Sequence, residues 1–125
     1  MSALLELEKE EERQRIRSIL YLLGLSANYQ GFYQLSDAVM LVREEPERLL
    51  WVTKCIYPDI AKRRRTTPAA VERNLRTAVR IIWEAQAPLL WEVLGEHPEK
   101  RPPTARFIAC LAGYAAGERR TPGAL

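Results

Sequence analysis

The sequence predicts an all-α fold, a compact bundle of about six or seven helices containing a helix-turn-helix. Three observations predict it. Apolar residues recur at three- and four-residue steps through most of the 125 residues, the spacing that gathers them on one helix face. The breaks between these stretches carry proline, glycine and threonine, residues that start and stop helices. No stretch shows the strict alternation of a half-buried strand. The length suits one domain, residues 1–125, with 1–15 a charged helical arm and 118–125 a frayed tail.

The elements follow in order. Leu5, Ile16, Ile19, Leu20 and Leu23 carry a helix over residues 4–23, whose front, Glu6 to Arg17, is almost wholly charged. Gly24 and Gly31 bound a connector, each read as a helix-ending glycine. Phe32, Leu35, Val39 and Val42 mark a helix over residues 32–44. Pro46 suits the first turn of another, carried by Leu49, Leu50, Val52 and Ile56 to Tyr57. Pro58 imposes a kink or a short break there.

Residues 58–64 form a short helix with Ile60 and Ala61 inward. Thr67 caps the next helix and Pro68 takes its first position, where a missing amide proton costs nothing. That helix is expected to run to about Trp83 or Ala85. A short helix, Leu89 to Leu94, ends at Gly95, and a proline-rich loop runs from His97 to Pro103. Thr104 caps a last helix to about Ala116, packed through Phe107, Ile108, Leu111 and Ala115.

Composition excludes several classes. No apolar run approaches the roughly 18 residues of a membrane span, and the acidic start after Ser2-Ala3-Leu4-Leu5 is not a secretory signal. Cys55 and Cys110 stand far apart among apolar neighbours and read as two buried thiols in a reducing cytoplasm. With one histidine and no close cysteine pair, no metal and no cofactor are expected. His97 reads as a surface residue, Asp37 as a single carboxylate without a partner at catalytic spacing, and Asp59 as a charge favouring a helix start. Trp51, Trp83 and Trp91 read as core, with Trp91 the most open of the three. Tyr29, Phe32 and Tyr33 form an aromatic cluster of the kind that stacks on single-stranded bases. No nucleophile elbow or phosphate-cradling loop is present, so the chain does not read as an enzyme.

Charge is unevenly placed. Residues 1–50 hold six Lys/Arg against nine Asp/Glu, and residues 81–125 hold five against five. Residues 51–80 hold eight against two. A positive field so concentrated attracts phosphate.

The helix from Pro68 explains why that charge matters. At 100° per residue, Val71, Leu75, Ala78, Val79 and Ile82 share one stripe. Ala69, Arg73, Arg76, Thr77 and Arg80 lie roughly opposite. Small residues at a helix start let it approach a groove, and a guanidinium one turn in can pair with guanine O6 and N7. Glu72 can accept from cytosine N4 or pair with Arg76. Glu72, Arg73, Arg76 and Thr77 are therefore the candidate base readers. Lys62, Arg63, Arg64, Arg65, Thr66, Thr67 and Arg80 are the candidate phosphate contacts. The expected partner is double-stranded DNA. On the residues alone, RNA or a protein partner remains open, because many unrelated helix pairs mimic this pattern.

The residues also resemble a known family. Leu50-Trp51-Val52-Thr53-Lys54-Cys55-Ile56-Tyr57-Pro58-Asp59-Ile60-Ala61-Lys62, then Thr66-Thr67 and Val71-Glu72-Arg73, are similar to the C-terminal DNA-binding effector domain of the master sporulation response regulator. Gly31-Phe32-Tyr33 with Leu35, and Arg106-Phe107-Ile108-Ala109, have close counterparts, so the resemblance spans roughly residues 16–117. It implies an all-helical domain that binds short promoter elements, often as tandem copies, and regulates transcription. It implies base contacts at Glu72 and Arg73 and a basic position at Arg76. At Tyr29, Phe32 and Tyr33 it implies a packed helix junction instead of a stacking surface. Ala70 replaces a usual basic residue and Thr77 a usual histidine, which puts identical site preference in doubt.

The family's usual N-terminal phosphoacceptor domain has no counterpart in residues 1–125. Control without a phosphorylation switch is therefore expected, with either constitutive binding or a homodimer through residues 4–23 or the last helices; the arm from Leu4 to Arg17 reads equally as a dimer contact or as a solvated segment. A cytoplasmic protein, nucleoid-associated when bound to DNA, is expected. It would contact the transcription machinery or a related sporulation regulator. The alternative is a helical adapter or antagonist of a full-length sporulation regulator.

Overall fold

The computed structural model describes residues 2–117; the expected frayed tail, residues 118–125, lies outside them. Six α-helices are described: α1 Ser2–Leu22, α2 Gln30–Glu44, α3 Tyr57–Arg64, α4 Pro68–Ala85, α5 Pro88–Leu94 and α6 Thr104–Ala115. The fold is all-helical, and α2 is its axle. From Gly31 to Val42 every residue of α2 but Tyr33 is buried, because α1, α4 and α6 all pack around it.

The core follows the apolar stripes. Ile16, Leu20 and Leu23 from α1 and its end meet Leu35 and Leu41 of α2 and Leu75 and Ile82 of α4, all 1% exposed or less. Phe107, Ile108 and Leu111 of α6 complete it. Removing such a side chain costs about 2–5 kcal/mol, the transfer and cavity terms together.

Two glycines do different work. Gly24 ends α1 in the left-handed region at φ 99°, with Leu25 N–H donating to Leu20 O at 3.0 Å, a glycine-terminated helix end. Gly31 is not a helix end: it lies inside α2. A Cβ there would stand 2.6 Å from the Asn74 carbonyl oxygen of α4 and 3.0 Å from Ala78 Cβ. It is a point of close approach between α2 and α4, and any side chain would force them apart.

The segment after α2 departs from the helix its spacing suggests. Pro46–Trp51 is a 3-10 helix and Val52–Ile56 a single π turn, closed by Tyr57 N–H donating to Val52 O. The tight turn followed by the wide turn shifts the register. Ile56 and Tyr57 then face inward. Leu50, Trp51 and Cys55 face outward, with Leu50 75% and Trp51 53% exposed. Cys55 is thus exposed, Cys110 alone is buried, and Trp51 is not core. Trp51 instead lies under Lys54 Nζ, 5.8 Å from its ring centroid. Trp91 is half-buried, edge-on to Trp83 at 5.9 Å and stacked on His97 at 4.3 Å.

The charged start of α1 is tied down in part. Arg43 of α2 donates to both carboxylate oxygens of Glu12, at 3.0 and 3.3 Å, and Lys9 pairs with Glu44 at 3.8 Å. Thr104 does not cap α6 as its position suggests: it is the first helical residue, and Pro103 precedes it with no side-chain cap.

Candidate nucleic-acid interface

The interface is built on α3, a three-residue turn and α4. Ile60 and Ala61 of α3 are buried at 0% and 3% exposure, and the small Ala61 lets the two helices cross closely. Arg65 ends α3 in the left-handed region at φ 55°, where glycine is the usual occupant. The strain of that conformation in a non-glycine residue is offset by two bonds: the Arg65 and Thr66 amides both donate to Ala61 O. The turn is therefore a closed helix end. The Thr66 amide proton is spent on it and is not offered to a phosphate.

The start of α4 is closed in the same way. Thr67 Oγ1 accepts from the Ala70 amide at 3.1 Å, and Pro68 follows. A threonine cap is worth about 1 kcal/mol. Beyond it, Val71, Leu75, Ala78, Val79 and Ile82 are all buried, while Ala69, Glu72, Arg73, Arg76 and Arg80 are exposed and Thr77 is half-buried. The two-faced helix read from the sequence is the helix observed.

The cations on this surface differ in what holds them. Arg76 reaches Glu72 at 3.5 Å, Arg80 reaches Glu84 at 3.1 Å, and Arg63 donates to Asp59 at 2.6 Å. Each of these is a surface pair one helical turn apart, worth under about 1 kcal/mol, so a phosphate can displace the carboxylate. Lys62, Arg65 and Arg73 make no ion pair among the described residues.

Arg64 is different. Its Nε and one terminal nitrogen donate to the two oxygens of Asp37 at 2.7 and 2.8 Å, and its guanidinium lies 5.7 Å from the Tyr33 ring centroid. The hydrogen bond to Asp37 raises its already high pKa. Asp37 lies in α2 and is 6% exposed. Asp37, a carboxylate without a catalytic partner, is instead the anchor of an ion pair, and the arginine expected on phosphate is a bidentate clamp between the turn and the axle helix. Consecutive helical residues point about 100° apart, so the basic run cannot face one way. Arg17 lies over the same Tyr33 ring at 5.2 Å. The Tyr33 ring thus has two guanidiniums close to it, one from α1 and one from α3.

Behind the outer face, Tyr57 is buried beneath α4. Burial, then the charge of Glu72, pushes its phenol up from its ordinary value, with Arg76 working the other way. No group of three or more metal-ligating side chains occurs among the described residues, and no described helix is long and apolar enough to cross a membrane.

A capped helix with an open arginine face, seated on a bundle by a closed left-handed turn, defines a helix-turn-helix DNA-binding domain. Among known families, residues 16–114 match the one described as Sporulation initiation factor Spo0A C terminal. The match spans most of the chain, and the chain belongs to this family of C-terminal effector domains. It is a sequence-specific DNA-binding domain of transcription regulation.

Proposed function

We propose that α4 enters the major groove and that Arg73 is its principal base reader. The observation that carries this is Arg73 itself: exposed, on the outward face near the capped start of α4, and without an ion-pair partner among the described residues. Glu72, Arg76 and Thr77 flank it and complete the reading surface. Lys62, Arg63, Arg65 and Arg80 take phosphates, as do the hydroxyls of Thr66 and Thr67, and Arg64 holds the turn in place. Two copies occupy tandem sites, and the domain works in the cytoplasm on the nucleoid.

The adapter reading needs an apolar surface and a covered arginine face. Leu50 and Trp51 supply the first, but the Arg73 side of α4 is open, so DNA remains the partner. Selection from random duplexes, followed by titration of the winner against a scrambled duplex at about 0.15 M salt, tests the proposal. A preference of a thousandfold or more is expected; equal weak affinity for both duplexes overturns base reading by α4.

A further inference from the structure

The face of α1 turned away from the core carries its own pattern. Leu4, Leu7, Glu11, Gln14, Ser18 and Tyr21 follow one another at alternating four- and three-residue steps, the spacing of a two-helix seam. All six are exposed, with Leu4 61%, Leu7 57% and Tyr21 69% open, and Leu22 beside Tyr21 63% open. The stripe is apolar at both ends and polar in the middle. Its first half, residues 2–15, precedes the part of the chain matched by the family.

We infer that this stripe pairs antiparallel with the same stripe of a second copy of the chain. In that arrangement Leu4 meets the second copy's Tyr21 and Leu22, Leu7 meets Ser18, and Glu11 meets Gln14. A two-fold axis repeats every contact, so the surface is self-complementary. The flanks agree in charge. Glu8 of one copy faces Arg15 of the other, twice over. Arg15 uses one terminal nitrogen on Ala115 O at 3.3 Å, which leaves the rest of its fork available. The parallel alternative sets Glu11 against Glu11 in the seam, whereas the antiparallel one sets Glu11 against Gln14. Like charges in such a position disfavour the parallel pairing.

The α1 pairing adds to the DNA reading above and does not depend on which bases α4 contacts. The test is therefore made first without DNA. Sedimentation equilibrium of the chain is expected to show a monomer–dimer equilibrium. Glu8→Arg places two arginines together at each flank and weakens the dimer about tenfold, and adding Arg15→Glu on the same chain restores it. Register is read by oxidation in a Cys55→Ser background, which removes the exposed thiol. A mixture of Leu4→Cys and Tyr21→Cys chains forms a mixed cross-linked dimer, while neither alone does. A strict monomer at every concentration overturns the pairing, and so does failure of Arg15→Glu to restore the Glu8→Arg dimer. Self-linking of Leu4→Cys alone overturns the antiparallel register. Since Glu8 is remote from α4, Glu8→Arg leaves affinity for a single DNA site unchanged, which separates failure of the pairing from failure of base reading.

Discussion

The basic run that closes α3 and the outer face of α4 look alike in sequence: arginines beside small residues, flanking a paired threonine. They differ in the structure. On α4 the cations share one face, because they recur at three- and four-residue steps. In the α3 run they are consecutive, so the helix turns one of the four toward Asp37 of α2. Arg64 spends its guanidinium on Asp37, while Lys62, Arg63 and Arg65 stay outside. Periodicity, more than charge density, decides which arginines share one open face.

The largest effect should come from breaking the member paired with Asp37. Arg64→Ala leaves the buried Asp37 carboxylate unpaired and should cost about 2–3 kcal/mol of stability. This is the lower end for a buried pair, because the Arg64 side chain is 36% exposed. Denaturant unfolding checks it. In a double-mutant cycle with Asp37→Asn, the second substitution should cost much less than the first. A loss of DNA affinity at constant stability would instead put Arg64 on phosphate.

Arg73→Ala gives the opposite signature. Stability should be unchanged within about 0.5 kcal/mol, as for an exposed residue. Affinity for the preferred duplex should fall by about 1–3 kcal/mol, and discrimination against scrambled DNA should flatten. Lys62→Ala and Arg65→Ala stand between the two: affinity for all duplexes falls similarly, and the slope of log K against log salt drops by about one for each. Fluorescence titrations across salt concentrations separate these classes.

A smaller effect concerns the cap. Thr67→Ala removes the acceptor for the Ala70 amide and should lower stability by about 1 kcal/mol, seen as a lower melting temperature. The smallest appears at high pH. The Tyr57 phenol is raised above its ordinary value of about 10, so the folded state holds that proton longer than the unfolded chain. Its contribution is intact below pH about 10 and is lost as pH climbs toward the raised folded value. Tyr57→Phe should therefore show a shallower alkaline fall in stability than the parent chain.

The two faces of α4 were legible because burial and periodicity lie along one continuous element. Val71, Leu75 and Ile82 could only face inward together, which sent Arg73 and Arg76 out. The Thr67–Pro68 start was legible because capping is local chemistry. The Arg64–Asp37 clamp was not, since its partners are 27 residues apart and nothing local marks Asp37 as waiting for a cation. The segment over residues 46–56 failed for another reason. Its apolar spacing suits an α-helix, but the 3-10 and π turns change the number of residues per turn, and Cys55 and Trp51 come out exposed. Gly31 reads locally as a helix end, yet its role depends on the approach of Asn74 from another helix.

The central claim is that one arginine reads bases while its neighbours in sequence supply attraction or hold the fold. It is tested most directly by measuring the affinities of the parent chain, Arg73→Ala and Lys62→Ala for the selected duplex and its scrambled counterpart, in parallel, over a series of salt concentrations. Arg73→Ala is expected to bring the two duplexes together, whereas Lys62→Ala lowers both and keeps their ratio. If Arg73→Ala lowered both duplexes equally and preserved the ratio, α4 would not be reading bases through Arg73.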